Sequence, residues 1–251
     1  MREDVIERLL HLNREFYQRH AASFAESRPN LQPGVQRILP QVAPEASVFE
    51  AGCGFGGVAA ALHAAGHLGR YLGVDSSREL LLRARAWERP PRVTFEEVDL
   101  AAVSLWQQIP GEMDWVLAFA ILHHLPGEVI RQRVVQGMAA CLKLGGRAAV
   151  SVWTFLNSPR LRQRLLAWQA VGLTADEVEP GDYLLDWRRG AHGIRYVHAF
   201  DPSDLQRLAE SAGLTVVESF ASDGEAGKLG WYQVWEKREA PARFDDPQPA
   251  W

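Results

Sequence analysis

The spacing of apolar positions changes along this chain. Over residues 5–24, Val5, Leu9, Leu12, Phe16 and Ala21 recur every three to five positions, the spacing that turns one helix face to a core. A second short helix is expected beyond the turn at Pro29–Pro33. From Ser47 short apolar runs alternate with helical stretches. Strands are predicted at Val48–Ala51, Tyr71–Val74, Val93–Val98, Asp114–Ala120 and Arg147–Trp153, with helices ending at Ala65 and spanning Ser77–Trp87 and Glu128–Leu142. The run Asp114–Ala120 is apolar on both sides, as expected of a strand between two helix layers. Such alternation predicts an α/β fold, a parallel sheet with right-handed crossovers.

The last third departs from this rule. Asp201 is a helix N-cap followed by Pro202, and Leu205, Leu208, Ala209 and Ala212 form a buried stripe that Gly213 ends. Two strands follow, Leu214–Ala221 and Leu229–Lys237, joined only by Ser222–Lys228, so they must pair antiparallel. Residues 154–199 fit no βα unit: Arg160–Leu166 reads as a basic amphipathic helix, and Gly181–Arg195 is rich in Gly, Trp and Arg. An insertion this long at the C-terminal edge of a parallel sheet reads as a lid or specificity element. The expectation is one domain over 1–237, with a helical cap at 1–40, the insertion at 154–199 and a loosely held tail at 238–251.

Composition narrows the class. With 251 residues, 47% hydrophobic and 23% charged, the chain is neither disordered, collagen-like nor coiled-coil. Its longest apolar run, Trp115–Leu122, is far short of the ~20 residues that span a bilayer. The charged start Met1–Asp4 is unlike a secretory signal, so a cytoplasmic protein without membrane contact is expected. Net charge is −4, from 27 basic and 31 acidic residues, which argues against a globally basic nucleic-acid binder. Three of the 27 are lysines and the other 24 arginines, so a local guanidinium patch can still grip phosphate or carboxylate. Cys53 and Cys141 stand in unrelated segments, which suggests neither a disulfide nor a metal site.

The chemistry concentrates at strand ends. Glu50-Ala51-Gly52-Cys53-Gly54-Phe55-Gly56 follows a strand and opens a helix, where glycines let a ligand approach the backbone. Asp75 ends the second strand, placed for both hydroxyls of an adenosine ribose. Asp99 ends the third, placed for an adenine amino group while Leu100 covers the ring. A dinucleotide would set its pyrophosphate over the helix N-terminus, where Glu50 is an unwelcome anion. S-adenosylmethionine carries no phosphate, and its cationic groups suit a nearby carboxylate, so the turn favours the sulfonium cofactor.

Taken with Val74-Asp75, Asp99-Leu100 and Leu117–Leu125, this turn resembles the class I S-adenosylmethionine-dependent methyltransferases over residues 47–237. The resemblance implies a Rossmann-like, seven-stranded, mostly parallel sheet with a C-terminal antiparallel hairpin and helices on both faces. It implies cofactor contacts at Arg28, Glu50, Gly52, Cys53, Gly54, Asp75, Ser76, Asp99, Leu100, Phe119 and His123. A narrower likeness lies in Phe16-Tyr17, Ser27-Arg28, Pro33-Gly34-Val35, Val152-Trp153 and Arg195–Phe200, which look like the tRNA wobble-uridine carboxymethyl methyltransferases. That likeness implies methyl transfer to a uridine carboxylate, with tRNA and a small activating subunit as candidate partners. Here Gly230 precedes Trp231, where that family usually has Asn, and the segment after Trp153 differs. The alternative is a methyltransferase acting on a small metabolite.

At the acceptor, Tyr17, Trp153, Arg195, Tyr196, His198 and Trp231 are expected, although Trp231 and Trp235 share one strand face and for them the core reading is preferred. Trp187, beside Arg188-Arg189, is a candidate base contact. A carboxylate is already ionised near neutrality, so no catalytic acid or base is expected, and catalysis is expected to rest on proximity and orientation. Arg28 is assigned to the cofactor carboxylate and Arg195 to the acceptor. His123 is read as packing by the cofactor and His124 as a helix cap.

Overall fold

The computed structural model describes residues 1–87, 89–109, 111–188, 192–224 and 226–239. In chain order, α1 (Glu3–Arg19), α2 (Ala21–Glu26) and α3 (Pro33–Ile38) precede β1 (Val48–Ala51), α4 (Gly57–Ala64), β2 (Tyr71–Asp75), α5 (Arg78–Ala84), β3 (Val93–Glu97), α6 (Val103–Gln108) and β4 (Met113–Phe119). Then come α7 (Glu128–Cys141), β5 (Leu142–Trp153), α8 (Pro159–Arg162), β6 (Leu165–Leu166), β7 (Asp182–Trp187), β8 (Gly193–His198), α9 (Pro202–Ser211), β9 (Leu214–Ser222) and β10 (Gly230–Lys237). From Ala240 on, the expected tail lies outside the described residues, as does Arg189.

Seven strands form one sheet in the order β3-β2-β1-β4-β5-β10-β9. β1 pairs in parallel with β2 on one side and β4 on the other, while β10 runs antiparallel to β5 and β9. The chain therefore moves outward from β1 to β3 and restarts at β4 on the other side of β1. Loops leaving β1 and β4 diverge there, and that reversal opens a crevice at the C-terminal strand ends.

β1 is buried along its whole length. Phe49 and Ala51 join a core with Trp106, Val134, Met138 and Leu205, whereas Val48 joins Val35, Ile38, Val58, Leu62 and Leu81. Each of the larger aliphatic and phenyl side chains contributes about 1.5–3 kcal/mol by leaving water, so both helix layers are tied to the strand that carries the glycine turn. The sequence predicts no α6, whose six residues are too few to show a helical period. Trp106 packs edge-on to Phe49 and over Gly137 of α7, where an added Cβ would lie 2.2 Å from the indole. β5 begins at Leu142 rather than Arg147, since the chain pairs with Met113 before the Gly145–Gly146 turn. Among the described residues no helix is long and apolar enough to cross a membrane.

The insertion holds a second, three-stranded antiparallel sheet, β6-β7-β8. The expected helix over Arg160–Leu166 is one turn only: Ser158 caps it, and Leu165 and Leu166 leave it to pair with Leu185 and Leu184. The free edge of β7 outcompetes the helix. The first helix also breaks earlier than its apolar spacing suggests, at His20, whose buried ring packs against Phe16 and Trp187. α1 lies along β8. Asn13 donates to the carbonyls of His124 and Tyr196 and accepts from the Tyr196 N–H, so one buried amide clips α1 to β8 and to the loop after β4.

Candidate cofactor and acceptor site

The loop after β1 turns on Gly52 and Gly54, with φ of 74° and 54°, a left-handed region costly for other residues. The N–H groups of Gly52 and Cys53 both donate to the Val74 carbonyl, 2.8 and 2.9 Å away, tying the turn to β2. An added Cβ at Gly52 would lie 1.9 Å from Ile121 Cδ1, whereas one at Gly54 would meet nothing within 4 Å. Gly54 thus leaves an open cradle in the floor of a cavity of about 500 Å³. The size is in the usual range for small ligands.

Carboxylates ring this end. Asp75 accepts from Gly54 N–H at 2.9 Å through Oδ2 and from Ser77 N–H at 2.8 Å through Oδ1, leaving a lone pair on each oxygen. Burial raises its pKa, and those N–H bonds oppose the rise. Glu50 is 3% exposed and accepts from the Tyr71 hydroxyl. Burial pushes its pKa up to about 8, with help from the Asp75 charge and against the Tyr71 bond. Asp99 accepts from Ala101 N–H at 2.9 Å and pairs with Arg14 of α1 at 2.9 Å.

Another part of the lining is rich in cationic and aromatic side chains. Arg195 is 2% exposed, with its guanidinium 5.3 Å from the Phe16 ring, 4.7 Å from Trp153 and 5.3 Å from Trp187. Its Nε has no hydrogen-bond partner, and no described carboxylate pairs with it. Burial lowers its pKa, while the neighbouring Tyr17 raises it. Tyr17 in turn donates to His124 Nε2 at 2.7 Å, because His124 Nδ1 faces the Tyr196 carbonyl at 3.2 Å and must carry the proton. His123 Nδ1 accepts from Trp153 N–H at 3.2 Å. Burial keeps both imidazoles neutral, driving His124 down to about 3 and His123 well below its usual value. Arg28 stacks 3.8 Å from the Phe24 ring and donates to Ser27 Oγ.

The eleven positions expected around the cofactor, Arg28, Glu50, Gly52, Cys53, Gly54, Asp75, Ser76, Asp99, Leu100, Phe119 and His123, all line this one cavity. Of the six acceptor positions, Tyr17, Trp153 and Arg195 line it and the other three do not. Side chains alternate along β8, so with Arg195 inward, Tyr196 and His198 face the other way and both bond Asp182 Oδ1, at 2.6 and 2.7 Å. Trp231 packs on the core on the far side of β10, and its neighbour Tyr232 faces the cavity instead. His124 caps no helix: it anchors Tyr17. Sequence reasoning missed Arg14, which shares a helix face with Tyr17 at i, i+3, and Asp223 in the β9–β10 turn. With φ of 69°, Asp223 accepts from Gly34 N–H at 3.0 Å and from the Tyr232 hydroxyl at 2.6 Å. Among the described residues no cluster could hold a metal ion.

Residues 48–146 match a family described as a methyltransferase domain. The Encephalitozoon cuniculi protein ECU09_1500 is 27% identical over 213 residues, 84% of this chain and 90% of that one. A ubiquinone biosynthesis O-methyltransferase from Cupriavidus pinatubonensis is 30% identical over 174 residues, 68% of this chain but only 61% of that protein. Among solved structures, the chain bound to the Trm112 methyltransferase activator from Haloferax volcanii superposes with a TM-score of 0.64 at 16% identity, covering 90% of this chain and 98% of that one. That likeness establishes the fold.

Proposed function

We propose, on the premise that this chain is a class I S-adenosylmethionine-dependent methyltransferase with its domain across residues 48–146, that it methylates a carboxylate oxygen, that of a modified tRNA wobble uridine. The observation that carries the carboxylate is Arg195, a buried guanidinium stacked among three aromatic rings with a nitrogen to spare and no acidic partner among the described residues. A guanidinium binds two carboxylate oxygens at once, and low dielectric strengthens the bond.

The residues present fit the cofactor. Gly54 leaves room in the floor, and three carboxyls surround that end. Asp75 would hold the ribose hydroxyls with its remaining lone pairs, Asp99 and Leu100 the adenine, Glu50 the amino group and Arg28 the carboxylate of the methionyl part. The cofactor brings a methyl carbon already bonded to a cationic sulfur that leaves readily. The protein's task is alignment, which can supply roughly 7–11 kcal/mol. Arg195 orients the acceptor, and Trp153 and Phe119 exclude water. Neutral His123 and His124 take no proton, and an ionised carboxylate has none to give.

The wobble uridine rests on the likeness of Tyr17, Arg28, Trp153 and Arg195 to that family. A small activating subunit is proposed with it, since the Haloferax chain of the same fold is bound to one. A second reading, methylation of a small metabolite, is favoured by the 30% identical relative named as a ubiquinone biosynthesis O-methyltransferase. Incubation with methyl-labelled cofactor and either total tRNA or a metabolite extract separates them. The expected result is alkali-labile label on tRNA; label in the metabolite fraction with tRNA blank overturns the RNA acceptor.

A further inference from the structure

Two more arginines border the cavity beside Arg195. Arg160, on α8, is exposed, and Arg164, just before β6, is half-buried. Neither guanidinium has a hydrogen bond or ion pair to a described residue. Arg14, Arg37, Arg131 and Arg147, by contrast, each bond a carboxylate. The small sheet sets the spacing. Leu165 and Arg195 both pair with Leu185, so Arg164 stands next to the position two strands away from Arg195, roughly 10 Å by ordinary strand spacing. Arg164 is near enough that its charge weakens Arg195's hold on its proton. Like charges left unpaired along one wall cost stability, and a guest with more than one negative group relieves that cost.

We propose that the acceptor carries a phosphoryl group besides its carboxylate, and that Arg160 and Arg164 receive the phosphoryl at the mouth while Arg195 holds the carboxylate inside. This rests on the carboxylate reading above and adds a second anion to it. Arg is suited to the task because its fork matches phosphate oxygens, and exposure at the mouth lets the group enter before the deeper charge is desolvated. A phosphodiester of RNA and a phosphate ester of a small molecule share this chemistry.

Calorimetry with S-adenosylhomocysteine bound tests it on four ligands: uridine, 5-carboxymethyluridine, and the 3′,5′-bisphosphate of each. The expected result is that phosphate tightens binding about tenfold or more on either base. In the R160A/R164A double variant that gain falls to about twofold, and R164K keeps part of it, since charge remains without the fork. No phosphate gain in the native chain, or the same gain in the double variant, overturns the proposal. Thermal melting controls for folding, as both side chains lie outside the core. An anticodon stem-loop binding more tightly than the bisphosphate assigns the phosphoryl to RNA, and equal binding assigns it to a small ester. Methyl-ester formation on 5-carboxymethyluridine is read separately. If it fails while phosphate still tightens plain uridine, the carboxylate falls and the phosphoryl site stands.

Discussion

At the strand tips Glu50, Asp75 and Asp99 are each held by a donor from a neighbouring element: a tyrosine, two backbone amides and an arginine. Under the hairpin, Arg195 lies among rings with a nitrogen left over, and Arg160 and Arg164 have no partner among the described residues. The first end comes from consecutive turns of one sheet. The second gathers Phe16, Tyr17, Trp153, Trp187 and Arg195 from α1, β5, β7 and β8. A satisfied frame can hold its shape before any guest arrives, whereas unsatisfied cations call for one. On the proposed function, recognition of the donor would be built into the sheet, and recognition of the acceptor into its cover.

Substitutions can break this contrast at either end. The largest effect is expected from Gly52→Val, which forces a branched side chain into a left-handed turn and onto Ile121. It should cost roughly 3 kcal/mol and abolish measurable S-adenosylhomocysteine binding, read by denaturant unfolding and calorimetry. Arg195→Ala comes next. Acceptor KM should rise roughly 30- to 150-fold, from a loss of about 2–3 kcal/mol, while cofactor affinity moves less than about threefold. Equal losses at both ends would mean that donor and acceptor share one site rather than two.

Glu50 sharpens the contrast through pH. Its folded pKa of about 8 stands above the ordinary 4.5, so between those values the folded chain holds a proton that the unfolded chain lacks. Stability should fall as pH rises through that window, and Glu50→Gln should flatten the slope in thermal melts. A cation beside Glu50 favours its ionised form. Cofactor binding near pH 7 should then release up to about one proton, measured calorimetrically in buffers of different ionisation enthalpy, and the Gln variant should release none. The smallest effect is expected from Arg14→Ala. Its bridge to Asp99 is more than a third exposed, so stability should change by less than about 1 kcal/mol and cofactor affinity by about threefold.

The same division decides what could be read from the residues alone. Alternation of strands and helices, the glycine turn and the acids at strand ends are local patterns, and all eleven positions expected around the cofactor meet in one cavity. The hairpin was opaque because Gly, Trp and Arg obscure a strand's period. Without that period Tyr196 and His198 could not be sorted from Arg195, though they face the other side. The Arg14–Asp99 bridge joins the first helix to the third strand end, a distance in sequence that no local pattern encodes.

Asn13 gives this architecture an order in time. Its three hydrogen bonds reach His124 and Tyr196, so a chain leaving the ribosome cannot seat its first helix fully until residue 196 has emerged. The three carboxylates, by contrast, have all been synthesised by Asp99. During synthesis the first helix must wait, its apolar stripe uncovered, for a hairpin made late, and this interval is where the growing polypeptide is most in need of shelter.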